Sequence, residues 1–132
     1  MTVQPLAQKP VLDHVALSVK DLNESVRFYQ QIIGLDAIPE PFKDGRHAWF
    51  SIGNQQLHLI AEGARPAPQR RNTHLCFSIP SLDSFIKTLS KAGITYEDRD
   101  GRPAAVTTRP DGVHQIYFKD PDGYWIEMND AR

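Results

Sequence analysis

Two stretches of this sequence, sixty residues apart, are written in the same grammar. Leu12 to Val19 alternates so that Val15, Leu17 and Val19 share one face while His14, Ala16 and Ser18 share the other, the period of a half-buried strand. Asp21 then opens a capping box with Glu24. Leu22, Val26, Tyr29 and Ile33 follow at helical spacing, and Gly34 supplies the stop. The pattern returns as the strand Thr73 to Ile79, a cap at Ser81, a helix carrying Leu82, Phe85, Ile86 and Leu89, and a stop at Gly93. His14 to Asp21 and His74 to Ser81 are both seven residues; His14 to Gly34 is twenty and His74 to Gly93 nineteen. An internal duplication is the simplest explanation.

After each helix the chain becomes strand-like. Leu35 to Pro39, Arg46 to Ile52 and Gln55 to Ala61 read as strands in the first half; Ile94 to Arg99, Val113 to Lys119 and Tyr124 to Asn129 do so in the second. Gly53-Asn54 and Asp120-Pro121-Asp122-Gly123 supply turns for the two last hairpins. The expected fold is therefore α+β. One domain spans 1–132, with a βαβββ module over about 11–61, a connector at 62–72 and a second module over about 73–129.

Composition narrows the function. Fifteen basic against sixteen acidic residues leave a net charge of −1, which gives no general attraction to nucleic acid or to anionic lipid. A lone Cys76 forms no intrachain disulfide, and no apolar run approaches the roughly 20 residues of a membrane span. The opening MTVQPLAQKP lacks the apolar stretch of a secretory signal, so a cytoplasmic enzyme or binding protein is expected.

The duplication also singles out chemistry. His14 and His74 occupy matched places on the less apolar strand faces, and His58 matches Glu127 in the closing strands. A carboxylate among Trp125, Ile126 and Met128 needs a partner, and a cation provides one. His14, His74 and Glu127 are the expected ligands of one divalent ion. His58 is either a fourth ligand or a nearby proton carrier. Tyr117 and Gln115 are candidates for orienting substrate; Arg65, Arg70, Arg71 and Arg109 are candidate anion clamps or solvated loop residues. Cys76 reads as buried, inert filling, and His47 and His114 have no matched partner.

The stretches LDHVALSVKDLNESVRFYQQIIGL, THLCFSI and YFKDPDGYWIEM resemble the vicinal oxygen chelate superfamily, from Val11 to Asn129. That group includes glyoxalase I, fosfomycin-resistance proteins, extradiol dioxygenases and bleomycin-binding proteins. The resemblance implies a curved mixed sheet, a half-barrel around a metal site with helices on its outer face, commonly in a homodimer. It maps metal ligands onto His14, His58, His74 and Glu127, with Glu127 and His58 as the proton-transferring groups. Glyoxalase I usually carries glutamate or glutamine at the place of His58, so this chain departs from it. The implied cofactor is a divalent ion of the Zn, Ni, Co, Mn or Fe type. The implied activity is a glyoxalase-like lyase or isomerase reaction on a small substrate with adjacent oxygens, with an oxyanion or enediolate stabilised by the metal and a thiol co-substrate as one option. Rival readings are an extradiol-type dioxygenase, fosfomycin-resistance-like addition to an epoxide, and a metal-free drug-binding module.

Overall fold

The computed structural model describes residues 2–132. The order is β1 (His14–Val19), α1 (Leu22–Arg27), a π-helical turn (Phe28–Ile33), β2 (Asp36–Ile38), β3 (His47–Ile52), β4 (Gln55–Ala61), β5 (His74–Ser78), α2 (Leu82–Lys91), β6 (Thr107–Thr108), β7 (His114–Lys119) and β8 (Trp125–Asn129). The strands form two four-stranded sheets, ordered β1-β4-β3-β2 and β5-β8-β7-β6. In each, the first strand runs parallel to the last while the other pairs are antiparallel. The duplicated βαβββ reading is thus the observed fold. No described helix is long and apolar enough to cross a membrane.

Both caps form as the sequence implies: the Asp21 carboxylate accepts from the Glu24 amide at 3.1 Å, and the Ser81 hydroxyl accepts from Ser84 at 3.3 Å. Apolar residues on the inner strand faces, among them Phe50, Leu57, Leu59, Ile116, Phe118, Ile126 and Met128, meet both helices in one buried core. Phe118 lies between the helices, its ring centroid 6.4 Å from Phe28 and 5.4 Å from Phe85. The modules therefore fold as a unit.

Two local expectations are corrected. The first helix widens into a π turn, in which the Gly34 amide donates to Tyr29 O at 3.1 Å; Gly34 then takes φ +88°, as a left-handed stop requires. Tyr29 explains the register, because its hydroxyl is drawn 2.7 Å from the buried carboxylate of Asp120 in the other module. Residues Ile94 to Arg99 form no regular strand. Only Glu97 bridges to Tyr117, and the sheet edge is completed by Thr107–Thr108, so the polar segment between them departs from module 1.

Candidate metal centre

Strand register decides which polar side chains meet. Ala16 pairs with His58 across β1 and β4, and Cys76 pairs with Glu127 across β5 and β8, so the two modules place His14/His58 and His74/Glu127 identically. The third strand adds Trp49 opposite His58 and Tyr117 opposite Glu127. In module 1 this produces a stack: the Trp49 and His58 centroids are 3.9 Å apart, and His58 and His14 are 4.0 Å apart. In module 2 it produces an ionic contact, His74 Nε2 lying 3.2 Å from Glu127 Oε1.

The halves stay apart. Among the described residues, no three His, Cys, Asp or Glu side chains lie close enough to hold one ion. One chain thus offers His14 with His58 and, separately, His74 with Glu127; it does not gather the expected set. Cross-module bonds hold this arrangement. Tyr29 donates to Asp120, Ser25 Oγ and the Lys20 amide donate to Asp122 at 3.2 and 3.0 Å, and Tyr124 donates to Ser18 O at 2.9 Å.

Proton positions test whether the donors suit a cation. His74 Nδ1 lies 2.6 Å from Arg71 O, and a carbonyl only accepts, so Nδ1 bears the proton and neutral His74 presents a bare Nε2. That lone pair faces a Glu127 oxygen. Burial pushes the Glu127 carboxyl up, but hydrogen bonds from Asn129, Cys76, Gln115 and Tyr117 outweigh it and hold the group below its ordinary value. An ionised carboxylate facing a bare imidazole nitrogen calls for a proton or a cation between them. Nitrogen and carboxylate donors of this type suit borderline divalent ions, so the residues fit a metal. His14 is oriented like His74, with Nδ1 bonded to Asp13 at 2.7 Å. The same Nδ1 lock occurs at His47 and His114, so the lock alone marks nothing. His58 differs: its Nε2 contacts Gln56 Oε1 at 2.8 Å, while burial and then the neighbouring His14 lower its pKa and favour the neutral ring.

The surrounding groups take clearer roles than their positions in sequence suggest. Tyr117 donates to Glu127 Oε1 at 3.1 Å and receives Gln115 Nε2 at 3.3 Å, while Asn129 holds Glu127 Oε2 at 3.0 Å. Asn129 was findable as the residue two beyond Glu127 on the same strand face. Arg71 is not a free clamp. It pairs with Glu97 at 2.6 Å and donates to Arg99 O, beneath Gly101, where φ is +83° and a Cβ would lie 3.3 Å from Glu97. Arg65 donates to Pro121 O and Arg109 pairs with Asp111, so these two are also engaged. Cys76 is exposed rather than buried; desolvation of its thiol and the Glu127 charge push it up to about 12, leaving a protonated, weakly nucleophilic sulfur. His47 lines the same cleft as His14 and His58, at the place Gln115 holds in module 2.

Comparison with known proteins agrees with this architecture. The chain is 32% identical over 123 residues to metallothiol transferase FosB of Staphylococcus epidermidis, covering 89% of this chain and 80% of that one. It is 28% identical over 127 residues to Glyoxylase I 4 of Arabidopsis thaliana, covering 89% and 68%. The crystal structure of a glyoxalase family protein from Bacillus anthracis superposes with a TM-score of 0.76 at 30% identity, covering 97% of this chain and all of that one. A family profile matches residues 11–128, and the chain belongs to the Glyoxalase/Bleomycin resistance protein/Dioxygenase superfamily.

Proposed function

We propose that the protein is a homodimeric, divalent-metal-dependent lyase or isomerase of the glyoxalase-like kind. In this reading His14 and His58 of one chain join His74 and Glu127 of a second chain, and the substrate is a small molecule with adjacent oxygens. The observation that carries the metal is the 3.2 Å approach of His74 Nε2 to the Glu127 carboxylate, with the His74 proton committed to Arg71 O. Two features support a second chain. The cross-module bonds leave the half-sites apart, and β1 and β5 each lie at the end of their sheet with one edge unpaired. Beside those edges Val15, Leu17, Leu75 and Trp125 line a largely apolar depression, as an interface between copies requires.

When bound, a divalent ion supplies Lewis-acid stabilisation of negative charge on a substrate oxygen. The protein's own groups do the rest. Glu127, an acceptor-only carboxylate steadied by Tyr117 and Asn129, takes the proton released from the carbon beside the substrate oxygens. Neutral His58 offers Nδ1 as a second proton acceptor while Nε2 donates to Gln56. Similarity to a metallothiol transferase makes thiols the first co-substrates to screen.

Elemental analysis of untagged protein tests the reading. We expect about one ion per chain, and Glu127→Gln to lower both metal content and turnover; full content and full turnover in that variant reject it. A metal-free binding module is the second reading. It is favoured by the absence of any unpartnered buried side-chain polar atom among the described residues, Glu127 being satisfied within its own chain. No bound metal and no thermal stabilisation by divalent ions would select it.

A further inference from the structure

We propose that the ligand of this protein carries a planar aromatic or conjugated ring, received by Phe42 and Trp49 in the module 1 cleft. The inference rests on the reading above only for where the ligand's oxygens go. The cleft measures about 520 Å³ and includes Phe42, His47, Trp49, His58 and His14 in its lining. These rings are continuous. Phe42 stacks on His47 at 4.3 Å and meets Trp49 edge-on at 6.2 Å; Trp49 stacks on His58, and His58 on His14. An aromatic surface therefore runs from the rim to the imidazole donors.

Phe42 is the unexpected member, a large apolar side chain left 57% exposed. Its loop is built to present it. The Glu40 carboxylate accepts from the Phe42 and Lys43 amides at 2.7 and 2.9 Å, and Asp44 accepts from the Arg46 amide and bonds His47 Nδ1, both at 2.9 Å. Lys43 is held at φ +52°, a conformation that a non-glycine residue adopts at a cost in free energy. Strain and hydrogen bonds that hold an aromatic ring in water make sense when a ligand covers it.

Module 2 offers no such surface. Tyr117, the counterpart of Trp49, gives its hydroxyl to Glu127. Trp125 donates to Gln69 O, and the Lys119 ammonium lies 4.8 Å from its ring centroid. Aromatic pairing favours a planar ring over a saturated one of the same size, and a rigid ring loses little entropy on binding.

Calorimetric titration of the full chain with catechol and with cis-1,2-cyclohexanediol, in EDTA-treated and zinc-loaded forms, tests the proposal. Catechol should bind more tightly by roughly two- to tenfold in both forms. Phe42→Ala should bring the ratio close to one, and Phe42→Tyr should preserve it, with circular dichroism unchanged in both variants. Equal affinities, undetectable catechol binding in both forms, or a preference that survives Phe42→Ala would overturn it. The arms separate this idea from the metal reading. Ring preference in protein that takes up no zinc leaves the aromatic site standing alone; zinc uptake without ring preference removes only the aromatic site.

Discussion

Modules 1 and 2 share a backbone plan but divide the chemistry between them. At the fourth and eighth positions after the cap, α2 carries Phe85 and Leu89, both in the core. The first module carries Ser25 and Tyr29 there, equally buried, but bonded to Asp122 and Asp120. The reason lies across the molecule, since module 2 ends its hairpin in an acidic turn and module 1 ends its own in Gly53-Asn54. The open sheet faces diverge in the same way, module 1 stacking rings and module 2 arranging donors around one carboxylate. Duplication has conserved register while freeing side chains, so one half suits recognition and the other charge.

Substitutions at matched places sharpen this contrast. Leu89→Ala should cost about 2–5 kcal/mol in chemical denaturation, the price of a cavity in a shared core. Arg71→Ala acts only on module 2. Loosening the Arg71–Glu97 pair frees the carbonyl that fixes His74, and zinc affinity should fall about tenfold or more, with Arg71→Lys recovering part of it. An unchanged affinity, or an unchanged His74 tautomer by nitrogen NMR, would show that the clamp orients nothing.

Tyr29→Phe keeps the ring at the position matched by Leu89 but deprives Asp120 of a donor. It should cost about 1–3 kcal/mol. The smallest effect is one of pH. Burial, only partly offset by hydrogen bonds from Tyr29, Tyr124 and Asp122, holds Asp120 above the usual carboxylate range. The folded state therefore binds the extra proton, and this group's contribution to stability is present at low pH and declines as pH rises from the ordinary carboxylate value through the raised one. Asp120→Asn should flatten that part of the stability profile, and an unaltered slope would contradict the assignment.

The local pattern made much of this legible. Caps at Asp21 and Ser81, the glycine stops and the alternation in β1, β4, β5 and β8 are short-range signals, and they place His14, His58, His74 and Glu127 correctly in register. What escaped was long-range. The π turn arises from a bond between residues ninety-one apart. The engagement of Arg71 depends on the irregular segment around Glu97, where a strand was expected. Period-two alternation assigned a face to Cys76 but not its exposure on an edge strand. Nor does periodicity say which module faces which, so the separation of the half-sites was hidden.

The central claim is that donors from two chains complete one site, and mixing two defective proteins tests it directly. His14→Ala and Glu127→Ala, each unable to hold metal alone, should regain zinc binding once unfolded and refolded together, because each mixed dimer contains one site with all four donors intact. Mixed dimers that form, as shown by mass spectrometry, yet bind no more zinc than either parent would contradict it.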